Sequence, residues 1–258
     1  MCIVALALNP LPGGTTIIAA NRDEFHSRPT KGLHQWPLAP HIWGGVDLAA
    51  GGTWMAADES GRFAFVTNYR DPMAETTGSR SRGELVAGFV RGCGSAADYM
   101  LDVQSNAQSY SGFNLVVSDG RQVIYYSNRG PQPRALSPGL YVLSNHLLDS
   151  PWPKARRLRA RLQAHLDTAQ PGPYDPAELT RILRDTHRSP DADLPRTGLS
   201  LARERLLSSP FIISPEYGTR SSTVMTLSPG RLLGMAETRY GPDGEISGTT
   251  LLALHPES

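Results

Sequence analysis

Short apolar runs separated by turn residues are the main pattern in this chain of 258 residues. The first two runs, residues 3–8 and 15–20, flank a segment rich in Pro and Gly at residues 9–14, and this arrangement predicts a β-hairpin. A hairpin places the end of its second strand beside the start of its first. Cys2 and the polar cluster at residues 21–24 are therefore expected to be neighbours.

Later apolar runs predict three further groups of strands and four helices. The predicted strands lie in a hairpin at residues 51–70, in runs at 113–117, 122–127 and 140–145, and in a final meander at 221–227, 231–240 and 246–254. Apolar residues at helical spacing predict helices at residues 81–90, 96–106 and 154–166 and after residue 175. Proline-containing residues 25–43 and 187–210 are expected to be loops.

The order of these elements is strands, two helices, strands, two helices, strands. Because few helices connect successive strands, the sheets are expected to be mainly antiparallel. Two sheets that face each other, each covered by one pair of helices, use every predicted element. The predicted fold is therefore α+β, a four-layer αββα sandwich in a single domain over residues 1–258.

Composition narrows the class of protein. The 25 basic and 24 acidic residues give a net charge of +1, which argues against a nucleic-acid or membrane-surface binder. The apolar run at residues 3–8 is too short to span a bilayer and lacks the flanks of a signal peptide. Two cysteines, Cys2 and Cys93, suggest neither a disulfide framework nor a Cys-rich zinc site. We expect a soluble, cytoplasmic protein with no membrane span.

Cys2 is the candidate nucleophile. If Met1 is removed, Cys2 becomes the N-terminus and carries both a thiol and an α-amine. An amine with a pKa of about 7.7–8.0 can act as the base for an adjacent nucleophile. Asp23, in the polar cluster that closes the hairpin, would hold that amine. The alternative is that Cys2 is a small core residue, since free cysteines are often buried.

Two asparagines follow apolar strands at positions suited to a cleft. Asn68 ends the second hairpin, and Asn145 ends the strand at residues 140–145. A polar side chain at a strand exit can point into a cleft. The alternative for Asn68 is a turn cap before Asp71.

Histidines and basic residues provide weaker signals. His26, His34 and His41 could contact a metal or haem, but no closely spaced ligand pair is present, so we interpret them as loop histidines and predict no metal site. The basic helix at residues 154–166 could bind phosphates, although a solvated charged face is the more common explanation.

The cluster Asn21-Arg22-Asp23-Glu24 resembles the signature of the NRDE family, which includes transport and Golgi organisation protein 2. The similarity continues through residues 51–54, 67–70, 126–130, 144–154 and 209–223, nearly from end to end. This resemblance implies the four-layer fold of the N-terminal-nucleophile hydrolases. It also implies that Asn21, Arg22 and Tyr69 belong to a substrate-binding site.

A fainter resemblance reaches the choloylglycine hydrolase and penicillin V acylase group. It implies Cys2 as the nucleophile, Asp23 as the residue that holds the amine, Asn68 and Asn145 as oxyanion donors, and Arg220 as the late arginine of the pocket. Those hydrolases carry an Arg where this chain has Ala20. Arg22 can replace it only if its side chain points inward, and strand alternation puts Arg22 and Asp23 on opposite faces.

Two functions follow from these resemblances. The first is hydrolysis of a small amide or thioester by Cys2, with no cofactor required. The second is a non-catalytic carrier that uses the same cleft for non-covalent haem, acyl-coenzyme A or a lipid, because the NRDE family is implicated in haem mobilisation and lipid metabolism. A scaffold with no small ligand is a third alternative, which the polar residues at strand ends argue against. The sequence does not identify the ligand or the oligomeric state.

Overall fold

The computed structural model describes residues 2–9, 15–72, 78–168 and 174–253. The turn predicted at residues 9–14 lies almost wholly outside these residues, as do Met1 and the end of the last predicted strand at residue 254. The strands are β1 (Cys2–Leu8), β2 (Thr16–Phe25), β3 (Thr30–Trp36), β4 (Ala39–Asp47), β5 (Met55–Asp58), β6 (Phe63–Asn68), β7 (Phe113–Ser118), β8 (Val123–Ser127), β9 (Arg134–Ala135), β10 (Gly139–Leu143), β11 (Tyr217–Ser228), β12 (Arg231–Tyr240) and β13 (Ile246–Ala253).

The helices are α1 (Gly83–Arg91), α2 (Ala96–Ser105), α3 (Pro153–Thr168), α4 (Pro176–Leu183) and α5 (Leu201–Leu206). Ser81 and Glu84 have the spacing of a capping box at the start of α1, but the box is only partly formed. Glu84 Oε1 accepts a hydrogen bond from Ser81 N at 3.3 Å, but the helix begins two residues after Ser81. Asp175 caps α4 by accepting a hydrogen bond from Ala177 N, with Pro176 at the first helical position. None of the described helices is long and apolar enough to cross a membrane.

The strands form two antiparallel sheets. Sheet A has the order β10-β1-β2-β11-β12-β13, and sheet B has the order β3-β4-β5-β6-β7-β8-β9. Their facing sides bury a core that includes Leu6 and Ile18 from sheet A and Phe65 and Val116 from sheet B. The strand that carries Cys2 is interior to sheet A, since β10 and β2 flank it.

Helices cover the outer side of each sheet. Leu158 and Leu162 of α3 pack with Leu179 of α4 on the outer side of sheet A. Phe89 of α1 and Met100 of α2 pack on the outer side of sheet B. The predicted four-layer α+β arrangement is therefore confirmed. It follows from amphipathic helices whose apolar stripes can be buried only against a sheet face.

The prediction of a loop over residues 25–43 was wrong. Strands β3 and β4 form a hairpin at the edge of sheet B, with Thr30 paired with Asp47 and Trp36 paired with Ala39. Pro29 precedes this hairpin and Pro37 lies in its turn, so these prolines mark strand ends rather than a continuous loop. Half-exposed strands at a sheet edge carry many polar residues, which weakens their apolar signal.

Two other boundaries differ from the prediction. Strand β2 continues through the polar cluster to Phe25, because β11 extends beside it and pairs Tyr217 with Phe25. The segment predicted as loop at residues 187–210 contains the short helix α5, capped by Ser200, whose hydroxyl accepts a hydrogen bond from Arg203 N. A helix of six residues is too short to show a clear apolar period.

Candidate active site

Cys2 and Arg22 are directly opposite each other in the β1–β2 pair. Opposed residues of an antiparallel pair point to the same side of the sheet. Here that side is the one facing sheet B, because Val4 and Ala20, two residues further along each strand, lie in the core between the sheets. Arg22 thus points inward with the thiol, and Asp23 points to the helix side. The register also places the backbone nitrogen of Cys2 on the Asp23 side of this pair.

At this end of the sheets the core gives way to an open cleft of about 310 Å³. Few of the residues that line this cleft are apolar, and most are polar or charged. The lining residues are Cys2, Arg22, Asp23, Glu24, Arg28, Asp47, Ala50, Thr53, Trp54, Val66, Asn68, Arg80, Ser81, Arg82, Gly83 and Ser111. Both sheets and the beginning of α1 therefore contribute to one concave site that contains the thiol.

Close backbone packing forms one wall of the cleft. Thr53 N donates a hydrogen bond to Gly83 O at 3.2 Å, which ties the loop before β5 to the start of α1. A Cβ on Gly52 would lie 2.5 Å from Gly83 C, and a Cβ on Gly83 would lie 2.9 Å from Thr53 N. Only glycines permit this approach, which explains Gly52 and Gly83. Gly51 has a φ of +72°, in the left-handed region that favours glycine.

A buried hydrogen-bond network joins the two sheets beneath Cys2. Ser144 Oγ donates to Cys2 O at 3.0 Å, and Thr67 Oγ1 donates to Ser144 O at 2.7 Å. Asn114 Nδ2 donates to Thr67 Oγ1 at 3.1 Å. Because buried polar networks fix relative positions, this network holds the strand of Cys2 against β6, which ends at Asn68.

The two predicted asparagines occupy different positions. Asn68 lines the cleft near Cys2, as expected. Asn145 is fully buried beneath it, and its side-chain Nδ2 donates to Asn68 O at 3.1 Å. The backbone carbonyl of Asn145 accepts from Arg70 N at 2.7 Å. The structure therefore brings Asn68 to the site and places Asn145 as a support for the Asn68 backbone.

The thiol of Cys2 is half-buried and lies in a region of mixed charge. Burial raises the pKa of this thiol, and the Asp23 carboxylate raises it further. The Arg22 charge and a hydrogen bond from the Asp23 backbone N–H act in the opposite direction. A thiol with a raised pKa is mostly protonated at neutral pH, so it needs a nearby base to become a nucleophile.

Asp23 is buried on the helix side of β2. Thr219 Oγ1 donates to Asp23 Oδ1 at 2.8 Å, and Tyr217 Oη donates to Asp23 O at 3.1 Å. Burial raises the pKa of the Asp23 carboxyl, while the positive charges of Lys154 and Arg70 lower it. Thr219 thus holds the carboxyl of Asp23 and Tyr217 holds its backbone, at the register position next to the Cys2–Arg22 pair.

Lys154 is a site residue that the sequence prediction missed. Lys154 is 2% exposed, and within the described ranges its Nζ has no hydrogen-bond partner. The pKa of Lys154 is lowered from 10.5 to about 8, mainly by burial and also by the Arg70 charge, while Asp23, Cys2 and Glu204 act in the opposite direction. The signal was its spacing, since Lys154 precedes Leu158 and Leu162 at intervals of four and so belongs to the buried stripe of α3.

Arg70 and Glu204 complete this buried charged cluster. Arg70 Nη1 donates to Glu204 Oε2 at 2.8 Å, and the Arg70 guanidinium lies over the Trp152 ring, 4.7 Å from its centroid. Burial lowers the pKa of Arg70, and the charges of Glu204 and Asp23 raise it. The pair connects the end of β6 to α5 and encloses Lys154 on the helix side of Asp23.

Three other predicted residues lie outside the cleft lining. Asn21 is fully buried on the helix side and donates from Nδ2 to Leu183 O and Pro210 O, both at 2.9 Å, so its position does not support the predicted role in substrate binding. Arg220 is the extra residue of a bulge in β11 and donates to Phe25 O and Arg28 O. The Tyr69 ring packs against His146, with centroids 5.0 Å apart. Arg220 thus supports the cleft wall through the backbone of Arg28 and does not itself line the cleft.

The histidines that the structure describes do not form a cluster, and most arginines of the basic helix α3 are paired with acidic residues. His26 contacts Ser214 O, and His34 contacts Gly32 O. In the part of the chain that the structure describes, no group of three or more His, Cys, Asp or Glu side chains could hold a metal ion. Arg157, Arg159 and Arg161 of α3 pair with acidic residues, as in the contact of Arg161 with Asp185 at 2.9 Å.

Comparison with known proteins identifies similar sequences over nearly the whole chain. A model of the family Transport and Golgi organisation 2 matches residues 1–242. The Transport and Golgi organization protein 2 homolog of Bos taurus is 34% identical over 269 residues, which cover 93% of this chain and 96% of that protein. Transport and Golgi organization protein 2 of Drosophila melanogaster is 29% identical over 279 residues, covering 96% of both chains.

Solved structures with the same fold include two hydrolases. A Caenorhabditis elegans N-acylethanolamine-hydrolyzing acid amidase ortholog has a TM-score of 0.51 at 14% identity and covers 89% of this chain and 93% of its own. The C2A mutant of a conjugated bile acid hydrolase from Clostridium perfringens has a TM-score of 0.58 at 10% identity and covers 98% and 92%. These neighbours have the fold of the N-terminal-nucleophile hydrolases, which confirms the predicted fold. Their low identity carries no information on substrate.

Proposed function

Because the chain belongs to the Transport and Golgi organisation 2 family and has the fold of the N-terminal-nucleophile hydrolases, we propose that it hydrolyses a small amide or thioester. In this proposal Met1 is removed, Cys2 is the nucleophile, and its own α-amine is the base. The observation that carries the proposal is the β1–β2 register, which sets the Cys2 thiol in the cleft and its backbone nitrogen beside Asp23.

The proposed reaction has two steps. Cys2 Sγ bonds to the substrate carbonyl carbon while its proton passes to the α-amine. The C–N or C–S bond of the substrate then breaks, and the amine returns the proton to the leaving amine or thiol. Water attacks the resulting acyl-thioester, gives its proton to the same amine, and releases the acid with restoration of the thiol. Because burial raises the pKa of the Cys2 thiol, the thiol is mostly protonated near neutral pH and needs such a base.

The remaining residues have defined roles in this proposal. Asp23 holds the amine, and Lys154 supplies a neighbouring positive charge that favours ionised Asp23. Asn68 donates to the oxyanion from the cleft, where one such donor contributes about 3 kcal/mol to lowering the barrier. Asn145 acts through the backbone of Asn68. The proposed location is the cytoplasm, a reducing compartment in which free cysteines persist.

A carrier of haem, acyl-coenzyme A or a lipid remains the second candidate. Arginines in the cleft, including Arg22, favour a ligand with carboxylates or phosphates. Of the described residues that line the cleft, only Cys2 is of a type that serves as an axial haem ligand. A carrier should retain ligand affinity in Cys2→Ala, whereas a hydrolase should lose turnover.

The test is the rate of Cys2 alkylation by iodoacetamide as a function of pH, measured by peptide mass so that the N-terminus is identified as well. The exposed Cys93 is an internal control in the same sample. We expect Met1 to be absent and Cys2 to react much faster than Cys93 near pH 7, because the α-amine removes its proton.

Two outcomes contradict the hydrolase proposal. One is retention of Met1 in the purified protein. The other is an alkylation rate of Cys2 no greater than that of Cys93 across the neutral pH range. Either result would shift the function to the carrier, which is tested directly by titration with haem, followed by the Soret band, and with acyl-coenzyme A.

A further inference from the structure

Arg22 has an incompletely satisfied guanidinium that faces the cleft. Its side chain is 5% exposed, and the guanidinium lies over the Trp54 ring, 4.3 Å from the centroid. Among the residues that the structure describes, Nη1 has no hydrogen-bond partner. A buried cationic donor without a partner is energetically costly, so this position is suited to an anionic ligand.

The nearby carboxylate of Asp47 does not fully satisfy Arg22. Asp47 Oδ2 accepts from Arg28 Nε at 2.7 Å, and Asp47 Oδ1 accepts from the backbone nitrogens of Ala49 and Ala50 at 3.0 and 3.1 Å. Arg22 Nη2 is 3.6 Å from Asp47 Oδ2, which is beyond the usual hydrogen-bond distance. Asp47 is therefore committed mainly to Arg28 and its own turn.

A second guanidinium, that of Arg82, belongs to the same cleft as the Cys2 thiol and Arg22. Arg82 is half-buried in the cleft lining, and its Nη1 donates to Gly112 O at 3.1 Å. It has no ion pair within the described part of the chain, in contrast to Arg80, which pairs with Glu84 at 3.0 Å. The Cys2 charge interacts with both Arg22 and Arg82. The opposing charges in the lining are Asp23, Asp47 and Glu24. Glu24 Oε1 accepts a hydrogen bond from Phe25 N.

We propose that Arg22 and Arg82 form an anion-binding subsite next to Cys2, so that the preferred substrate carries a carboxylate or phosphate close to its scissile carbonyl. This inference rests on the proposed function for the position of the carbonyl. The occupancy of the subsite can be tested without a known substrate, because small alkylating reagents deliver a chosen charge to the thiol itself.

The experiment compares alkylation of Cys2 by iodoacetate, which is anionic, and by iodoacetamide, which is neutral and of similar size. The rate ratio of the two reagents at Cys2 is divided by the same ratio at exposed Cys93, which cancels their intrinsic reactivities. We expect this double ratio to be about 10, which corresponds to one favourable charge contact of about 1.4 kcal/mol. Arg22→Met should reduce it close to one, and Arg22→Lys should retain most of it.

Two further variants control for net charge and folding. Arg156→Met removes one positive charge from the exposed side of α3 and should leave the double ratio unchanged. Arg82→Met removes the second guanidinium and should lower the ratio several-fold, which keeps the test decisive if Arg22→Met does not fold. A double ratio near one in the wild type, or one that Arg22→Met and Arg82→Met leave unchanged, overturns the subsite.

Competition identifies the anion. Sodium acetate and inorganic phosphate are added at equal ionic strength, with sodium chloride as the reference. The subsite predicts that one of them slows iodoacetate but not iodoacetamide, and the more effective anion indicates a carboxylate or a phosphate. If neither anion competes beyond chloride, the subsite is absent. If Cys2 instead reacts slowly with both reagents, the proposal that Cys2 is the nucleophile fails, but the double ratio can still be measured. The failure of the proposed function and the failure of the subsite are therefore distinguishable.

Discussion

The two faces of β2 near its end have different environments. On the side facing sheet B, Arg22 lies beside the Cys2 thiol in an open cleft. On the helix side, Asn21 and Asp23 are buried, with their polar atoms bound to residues from β11, α4 and the segment before β11. Four adjacent polar residues thus serve two regions, one open to a ligand and one enclosed in the protein.

This difference separates the reacting groups from those that position them. The cleft side carries the thiol and cations with unfilled hydrogen-bonding capacity. The helix side carries a charged cluster of Asp23, Lys154, Arg70 and Glu204 that solvent hardly reaches. Charges in a low-dielectric environment interact strongly, so the helix side can control protonation at the cleft without contacting substrate.

The largest expected effect is the loss of the nucleophile. Cys2→Ala should reduce hydrolysis by at least about 10³-fold, because no other group can form the acyl-enzyme. The measurement is single-turnover hydrolysis of a substrate found by screening amides and thioesters. Cys93→Ala is the matched control and should retain activity, since Cys93 is exposed and does not line the cleft. Residual turnover above 10% in Cys2→Ala would remove Cys2 from the reaction.

The next effect concerns the residue behind the amine. Asp23→Asn should slow Cys2 alkylation by about 10²-fold near neutral pH, because it removes the charge that holds the α-amine. The measurement is the pH–rate profile of the mass-resolved alkylation. Glu24→Gln, the adjacent residue on the cleft side, is the control and should change the rate only a few-fold. Equal effects of the two variants would contradict the division between the two faces.

A smaller effect is the unusual titration of Lys154. Its signal in an NMR titration of lysine Nζ should show a pKa of about 8, against an ordinary value of 10.5, because burial disfavours the charged amine. Asp23→Asn should lower this pKa further, since the Asp23 charge raises it. The sequence contains one other lysine, the exposed Lys31, which serves as the control signal.

The depressed pKa of Lys154 also has a consequence for stability. Between pH 8 and 10.5 the unfolded chain binds more protons at this lysine than the folded chain does. Its contribution to the free energy of unfolding therefore rises with pH in this window. Lys154→Met should remove that rise in urea titrations at successive pH values. An unchanged pH dependence would show that Lys154 is solvated.

The smallest expected effect on chemistry belongs to Asn21. Asn21→Ala leaves the carbonyls of Leu183 and Pro210 without their donor, which should lower the free energy of unfolding by about 2 kcal/mol. The alkylation rate of Cys2 should remain within about twofold. Asn106→Ala, at an exposed helix end, is the stability control and should cost less than about 1 kcal/mol. A large loss of Cys2 reactivity with unchanged stability would instead place Asn21 in the site.

Most of the layer arrangement could be predicted from apolar periodicity. The helices α3 and α4 and the final meander show regular patterns, because each buries one face against a large neighbour. The hairpin of β3 and β4 could not be predicted in this way, since edge strands are half-exposed and this one begins and turns at prolines. The short helix α5 is likewise fixed by the contact of Glu204 with Arg70, which is 134 residues away in sequence.

The candidate site was predictable where strand alternation determines it. Each of three site residues has a recognisable feature in the sequence: Cys2 is the second residue, Asp23 lies in a polar cluster, and Asn68 ends a predicted strand. The structure brings them to one end of the sheets. The role of Lys154 was difficult to predict because its neighbours in the sequence are arginines that are exposed or paired at the surface. Only its interval of four from Leu158 marked it as buried.

The sequence by itself determined the α+β class, the hairpin that brings Cys2 to the polar cluster, and the opposite orientation of Arg22 and Asp23, because these depend on local period and turn chemistry. Tertiary structure alone decided which face is open. Sheet B and α1 leave a cleft over Arg22, whereas α3 and α5 enclose Asp23 with Lys154. Such long-range packing sets solvent exposure and charge compensation, and neither can be read from the order of residues along one strand.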